Sequence, residues 1–323
     1  MKFAWLCSHE THHPEVLVDQ AVHAEAQGFD MVLGSDHFHP WVDDRAAAGS
    51  VWTWLGAVAA RTERVELATS VTCPLFRYHP ALIAQAAATV DRLAPGRFVL
   101  GVGTGENINE GPLGFEFPNY QGRTARMKEA LEIIRRLCGG EKLDFAGDHY
   151  TVEKAKLYSP PTRPIPLWMA AGGPTSAQIA ATHADGLITS VRSPADTRDN
   201  IVLPYRAAAQ EGGYVMATRW AILADNADVA WEAVASLRGL RAPGRLEAID
   251  PMTLRERADA LGRDEILSHY TVATTVEDLI EIYRPLVEMG VDCVSIQIAS
   301  VHPERTLSIV GTEVLPALRA LAA

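Results

Sequence analysis

The stretch Phe29-Asp30-Met31-Val32-Leu33-Gly34-Ser35-Asp36-His37-Phe38-His39-Pro40-Trp41 changes character at its middle. Its first half is a short apolar run that reads as a buried strand. Its second half packs an acid, two imidazoles and an indole into the exit of that strand. A plain turn needs none of these side chains. In barrels of alternating strands and helices, catalytic groups sit at the C-terminal ends of the strands. The segment therefore points to proton chemistry beside a flat aromatic ligand.

Strand-like runs fall at 3–7, 31–34, 65–70, 98–102, 167–171, 186–189, 219–223 and 293–298. Helix-like runs alternate with them at 14–27, 51–61, 80–93, 123–138, 175–183, 195–211, 278–289 and 304–321. The first helix has Pro14 at its start and Gly28 behind its end, as helix termini prefer. Eight such units predict an α/β chain folded as a (β/α)8 TIM barrel, one domain over 1–323. Insertions are expected at about 106–121, 141–166 and 240–269. The second should hold a hairpin, 143–145 and 149–151 around Ala146-Gly147-Asp148. A doubly wound sheet fits less well, because the Gly-x-Gly segment follows the fourth strand rather than the first.

Composition narrows the partners. With 48% hydrophobic residues, a net charge of -11 and a pI near 5.5, the chain argues against nucleic acid or an anionic membrane as partner. Cys7, Cys73, Cys138 and Cys293 lie too far apart in sequence for a metal-type pair, and no disulfide framework is expected. No apolar run reaches the roughly 18 residues of a membrane span. Met1-Lys2-Phe3-Ala4-Trp5 leads directly into a strand rather than a signal peptide. A soluble, cytoplasmic protein is the expectation.

Two glycine sites follow strands. Gly101-Val102-Gly103-Thr104-Gly105-Glu106 lets backbone N–H groups approach a ligand, with Glu106 and Asn109 just beyond. It also reads as a tight barrel turn with a solvated Glu. Gly172-Gly173-Pro174-Thr175-Ser176 opens a helix whose free N–H groups suit a phosphate, or it is a simple capping turn. In a barrel both sites face the same end, which favours one ligand bridging them. His9-Glu10-Thr11-His12-His13 lacks the His-Glu-x-x-His spacing of a helical metal site. Glu10 is read as a pocket acid, and no metal is expected.

Taken in order, Ser35-Asp36-His37-Phe38-x-Pro40-Trp41, then Arg77-Tyr78-x-Pro80, then Gly101-x-Gly103-Thr104-Gly105-Glu106 resemble the deazaflavin-dependent branch of the bacterial luciferase-like superfamily. The nearest group is that of F420-dependent glucose-6-phosphate dehydrogenases. The resemblance spans the whole chain and is densest over 28–138 and 167–190. It implies a TIM barrel, usually a homodimer, with coenzyme F420 over the barrel mouth. It implies that Asp36, Ser70, Val71, Cys73, Gly105, Asn109, Gly172, Gly173 and Thr175 hold the cofactor, with a non-proline cis peptide at Ser70-Val71. Cys73 stands where the family often has threonine.

The chemistry implied is hydride transfer between an alcohol, sugar or sugar-phosphate carbon and the deazaflavin C5. His37 would take the hydroxyl proton, since imidazole titrates near neutrality. Glu106 would compensate the reduced ring, Glu10 would be a further pocket acid, and Trp41 would stack at the reacting face. The group's three phosphate-binding cations align near Ser193, with Arg192 beside it, at Arg257, and at His269. One cation is thus kept in kind, one displaced and one replaced. The ring pocket alone does not separate F420 from FMN, so an FMN-dependent reductase or monooxygenase is the alternative. A non-catalytic flavin-binding barrel is a third reading.

Overall fold

The computed structural model describes residues 1–322, with Glu211 described by its backbone alone. Ala323, the last residue of the expected domain, lies outside them. Eight parallel strands close into a barrel: β1 (Lys2–Cys7), β2 (Met31–Gly34), β3 (Glu66–Thr69), β4 (Phe98–Val102), β5 (Leu167–Ala170), β6 (Gly186–Ser190), β7 (Tyr214–Leu223) and β8 (Cys293–Ala299). Closure comes from pairing of β6 with β7 and of β7 with β8, which returns to β1. A ninth strand, Thr271–Ala273, is added to the outer end of β7.

Side-chain alternation along each strand sorts the core into two layers. In β1, Phe3, Trp5 and Cys7 pack toward the helices, while Ala4 turns inward. Small and large residues share the barrel interior: Ala4 and Ala68 sit with Met31, Leu33, Val99, Trp168 and Met216. Trp168 stacks on Tyr214 at 4.5 Å between ring centroids and helps fill that interior. The same alternation continues upward: Ser190 and then Arg192 beyond β6, Thr218 and Trp220 on β7, and Gln297 on β8 all line the mouth.

Several expected helices differ in detail. The run 195–211 is broken into Pro194–Thr197, a wider turn at Arg198–Val202, and Leu203–Ala208. Pro204 has no N–H to donate within a regular α-helical ladder. The closing run is likewise divided at Val310–Val314, ahead of Pro316. The hairpin forms as Leu143–Ala146 and Thr151–Ala155, so His149 and Tyr150 belong to the turn rather than to the second strand. Glu129 fixes that turn by accepting from the N–H groups of Asp148, His149 and Tyr150.

The insertion after β7 builds its own apolar cluster over the barrel rim, including Ile222, Val234, Leu237, Leu254, Ile266 and Tyr270. Between β7 and the added strand, over 224–270, it contains the α-helices Ala227–Val234, Pro251–Leu261 and Arg263–Ser268, the last two within what the sequence presented as a loop. Charged pairs tie it to the loop after β2. Arg238 meets Asp44 and Asp259 at 2.8 Å each, Arg255 meets Asp43 at 2.6 Å, and Arg45 pairs with Glu232. The catalytic-side loops are therefore held as one unit. No helix of the described residues is long and apolar enough to cross a membrane.

Candidate active site

The barrel mouth is a cavity of about 440 Å3. His37 stands on its wall with both ring nitrogens engaged. Nδ1 lies 3.1 Å from the His39 carbonyl, an acceptor only, so Nδ1 carries a hydrogen. Nε2 lies 3.1 Å from Glu10 Oε1 and 3.8 Å from Glu106 Oε2. The Nε2 edge is therefore the one that can give or take a proton, between two carboxylates.

Glu10 is buried and accepts from the hydroxyls of Ser8, at 2.9 Å, and Ser35. Burial raises its proton affinity, but the neighbouring His37 charge and these hydroxyls outweigh burial and hold the carboxyl below its ordinary value. Glu106 is more open and ion-paired to Arg245 from the insertion. The Arg245 guanidinium also lies 5.3 Å over the Trp41 ring. Trp41 is 4% exposed, edge-on to His37 at 4.9 Å, and packed in the insertion's apolar cluster. It does not line the cavity. Its ring lies behind His37, packed under the insertion.

Asp36 lines the cavity floor, but its carboxylate is already engaged. Arg77 approaches it at 2.8 Å and Thr72 donates its hydroxyl hydrogen to it. The Arg77 guanidinium also lies 3.5 Å from Glu110, and the Arg77 backbone N–H donates to that carboxylate at 3.1 Å. Burial pushes Glu110 up, with the Arg77 charge opposing. Burial works against the Arg77 charge, yet Asp36 and Glu110 together hold its pKa above the usual value. Asn109 spends its amide oxygen on the N–H groups of Phe38, at 2.9 Å, and His39, at 3.3 Å. Its amide nitrogen is what remains for a ligand.

The Ser70-Val71 peptide is cis, and Ser70, Val71, Thr72 and Cys73 all line the cavity. Burial pushes the Cys73 thiol well up, so it is a neutral wall. Gly101 is required because a Cβ there would lie 2.0 Å from the Thr69 carbonyl oxygen. Gly105 has φ +80°, and a Cβ would meet Cys73 Sγ at 2.7 Å. Gly172 lines the cavity, while Gly173 and Thr175 lie just outside it at the start of helix Pro174–His183.

The expected cations divide. Arg192 lines the mouth and an adjoining side cavity of about 350 Å3. His269 lines the side cavity only, 3.6 Å from Glu265. Arg257 lines neither. Its guanidinium is exposed and donates to the carbonyls of Pro243, at 3.3 Å, and Gly244, at 3.1 Å. The helix carrying it turns it toward its own insertion, where it braces that turn. Arg241 and Arg245 occupy the cavities instead. They were not singled out in the sequence, because only the folded insertion brings them over the barrel. Arg77 stood within a quoted motif without an assigned task, and Glu110 directly follows Asn109. Among the described residues, no group of three side chains could hold a metal ion. His9 is fully buried, and burial pushes it toward the neutral form.

A parallel barrel with an acid–imidazole–acid array and a glycine-lined mouth defines a cofactor-assisted proton-transfer site. The chain belongs to the luciferase-like monooxygenase family, whose model it matches over residues 1–293. It is 36% identical to an F420-dependent glucose-6-phosphate dehydrogenase of Nakamurella multipartita, covering 99% of this chain and 97% of that one. Its structure matches an F420-dependent secondary alcohol dehydrogenase in complex with an F420-acetone adduct, with a TM-score of 0.91, 31% identity and coverage of 98% and 99%. A coenzyme F420 dependent tetrahydromethanopterin reductase from Methanopyrus kandleri, at 20% identity and a TM-score of 0.78 over 98% and 99%, shares the fold.

Proposed function

We propose that this chain is a coenzyme F420-dependent oxidoreductase acting on the CH–OH group of an alcohol or sugar whose remainder carries an anion such as phosphate. The observation that carries the reading is the His37 Nε2 edge, set between Glu10 and Glu106 at the mouth of the barrel. Relatives named for F420, matching over nearly the whole chain, support the cofactor.

The residues present fit such a group. Gly101 and Gly105 bring backbone close where any side chain would collide. A Cβ on Gly172 or Gly173 would meet nothing within 4 Å, so open space leads from the mouth to the N-terminus of helix Pro174–His183. That path suits a flat ring with a phosphate-bearing tail. Asp36, Ser70, Val71, Cys73, Gly105 and Asn109 would border the ring, and Gly172, Gly173 and Thr175 the tail. The deazaflavin, when bound, supplies the hydride acceptor or donor.

The chain's own residues handle protons and orientation. In the oxidative direction His37 Nε2 takes the hydroxyl proton, and the Glu10 carboxylate balances the charge the ring acquires. Glu106 is the second proton-holding group on the cavity side. Trp41 fixes the His37 ring from behind. Arg192 and Arg241, facing the side cavity, would hold the substrate's anion by paired N–H donors. On the same reading the protein works as a homodimer in the cytoplasm. The family resemblance supports the first, and four free cysteines suit the second. A screen of phosphorylated and unphosphorylated alcohols with oxidised coenzyme F420 tests the reading. Turnover of anionic members supports it, and no turnover with any alcohol or sugar overturns it.

A further inference from the structure

We infer that Arg245 is a cation shared between two sites, pairing with Glu106 until an anion enters the side cavity and then passing to that anion, which leaves Glu106 free to hold a proton beside His37. The inference rests on the proposed function only in supposing that the substrate carries an anionic group.

Arg245 lines both the mouth and the side cavity. Its Nη1 pairs with Glu106 Oε1, while the other Glu106 oxygen lies 3.8 Å from His37 Nε2. The pair is partly open to solvent, at 24% and 29% side-chain exposure, so breaking it strands no charge in the core. The face of Trp41, 5.3 Å away, supplies a contact that does not depend on Glu106. The guanidinium thus keeps a contact with Trp41 when it gives up Glu106.

The side cavity is prepared for such an exchange. Arg192, Arg219 and Arg241 also line it, and among the described residues no carboxylate lies within ion-pair distance of any of them. Arg241 stacks on Tyr270 at 4.8 Å, and its Nε is buried with no hydrogen-bond partner. Cations brought together without counter-charges repel one another until an anion arrives. Arg245 is the member of this group whose charge is committed to a carboxylate.

Linkage gives the consequence. A carboxylate that loses an adjacent cation binds a proton more readily. Anion binding and proton uptake at Glu106 therefore favour each other reciprocally. The other groups facing Glu106 are His37 from the β2 loop, Glu10 behind it from the β1 loop, and Arg241 and Arg192 across the cavities. His269 also lines the side cavity.

Inorganic sulfate is the probe, because its charge is constant across neutral pH. Calorimetric titration of the full chain, without deazaflavin, in buffers of different ionisation enthalpy counts the protons exchanged. Sulfate binding should take up protons and weaken as pH rises, by up to about tenfold per unit. Glu106→Gln should retain sulfate binding and lose most of the uptake. Arg245→Lys, which keeps charge but loses the fork, should weaken sulfate and reduce the uptake. Equal uptake in wild type and Glu106→Gln would overturn the inference, as would sulfate binding without uptake or no sulfate binding. Those failures leave hydride transfer from uncharged alcohols standing, since that is read separately by bleaching of the deazaflavin.

Discussion

His37 Nε2 and Glu10 Oε1 lie 3.1 Å apart at side-chain exposures of 10% and 8%, with the opposite ring nitrogen tied to the His39 carbonyl. The pair can hold a single proton at the one edge that faces the cavity. His37→Asn removes the acceptor while keeping a polar side chain. It should lower kcat by about 10²–10⁴-fold. KM for the alcohol should change far less, as steady-state kinetics will show.

Glu10 also links the site to acid stability. Its folded-state proton affinity is held below the ordinary carboxyl value of 4.5. Its stabilising contribution is therefore fully present above the unfolded value and is lost as pH falls through the depressed folded value. Glu110, pushed up by burial, works in the opposite sense. Wild type should consequently lose melting temperature on acidification more steeply than Glu10→Gln. Parallel pH dependences of Tm in thermal melts would show that Glu10 does not carry this term.

Arg77 bridges two buried carboxylates, Asp36 and Glu110. Arg77→Met leaves both without their cation and should cost about 3–5 kcal/mol in urea denaturation. Glu110→Gln should cost much less. The amide keeps the shape and an acceptor for the Arg77 backbone N–H, and Asp36 keeps its cation.

Much of this architecture could be read in the chain. Met31–Gly34, Val51–Arg61, Pro80–Leu93 and Phe98–Val102 occur as the local pattern prescribes, because the strands are continuously buried apolar runs and the helices bury one face. The placing of His37, Glu10 and Glu106 at one end follows from barrel topology, which collects strand exits. Arg241, Arg245 and Arg257 could not be sorted this way. All three lie in a 224–270 insertion whose fold depends on long-range pairs such as Arg238 with Asp44. Helix phase turns Arg257 to solvent, and no spacing rule predicts which arginine the insertion then delivers to the mouth. Trp41 is ambiguous for a related reason: an indole beside a catalytic loop serves equally well as a wedge for the insertion's core.

The side cavity gives a substrate prediction. Arg241→Ala removes a cation stacked on Tyr270 and facing that cavity. kcat/KM for a phosphorylated alcohol should fall by at least about tenfold, in line with a lost charge-assisted hydrogen bond. The unphosphorylated counterpart should change little. Equal losses for both would show that Arg241 does not read the anion.

Gly105→Ala should weaken the mouth at two levels. Its φ of +80° disfavours any Cβ, and that Cβ would meet Cys73 Sγ at 2.7 Å. A loss of about 1–3 kcal/mol is expected in chemical denaturation. Adding Cys73→Ala should recover the steric part and leave the conformational part.

Fluorescence-monitored binding of oxidised coenzyme F420 and of FMN to the purified chain tests the cofactor assignment most directly, when followed by addition of an alcohol or sugar phosphate. Saturable F420 binding, little or no FMN binding, and substrate-dependent loss of the oxidised deazaflavin absorbance are the expected result. Tight FMN binding with no F420 binding would contradict it.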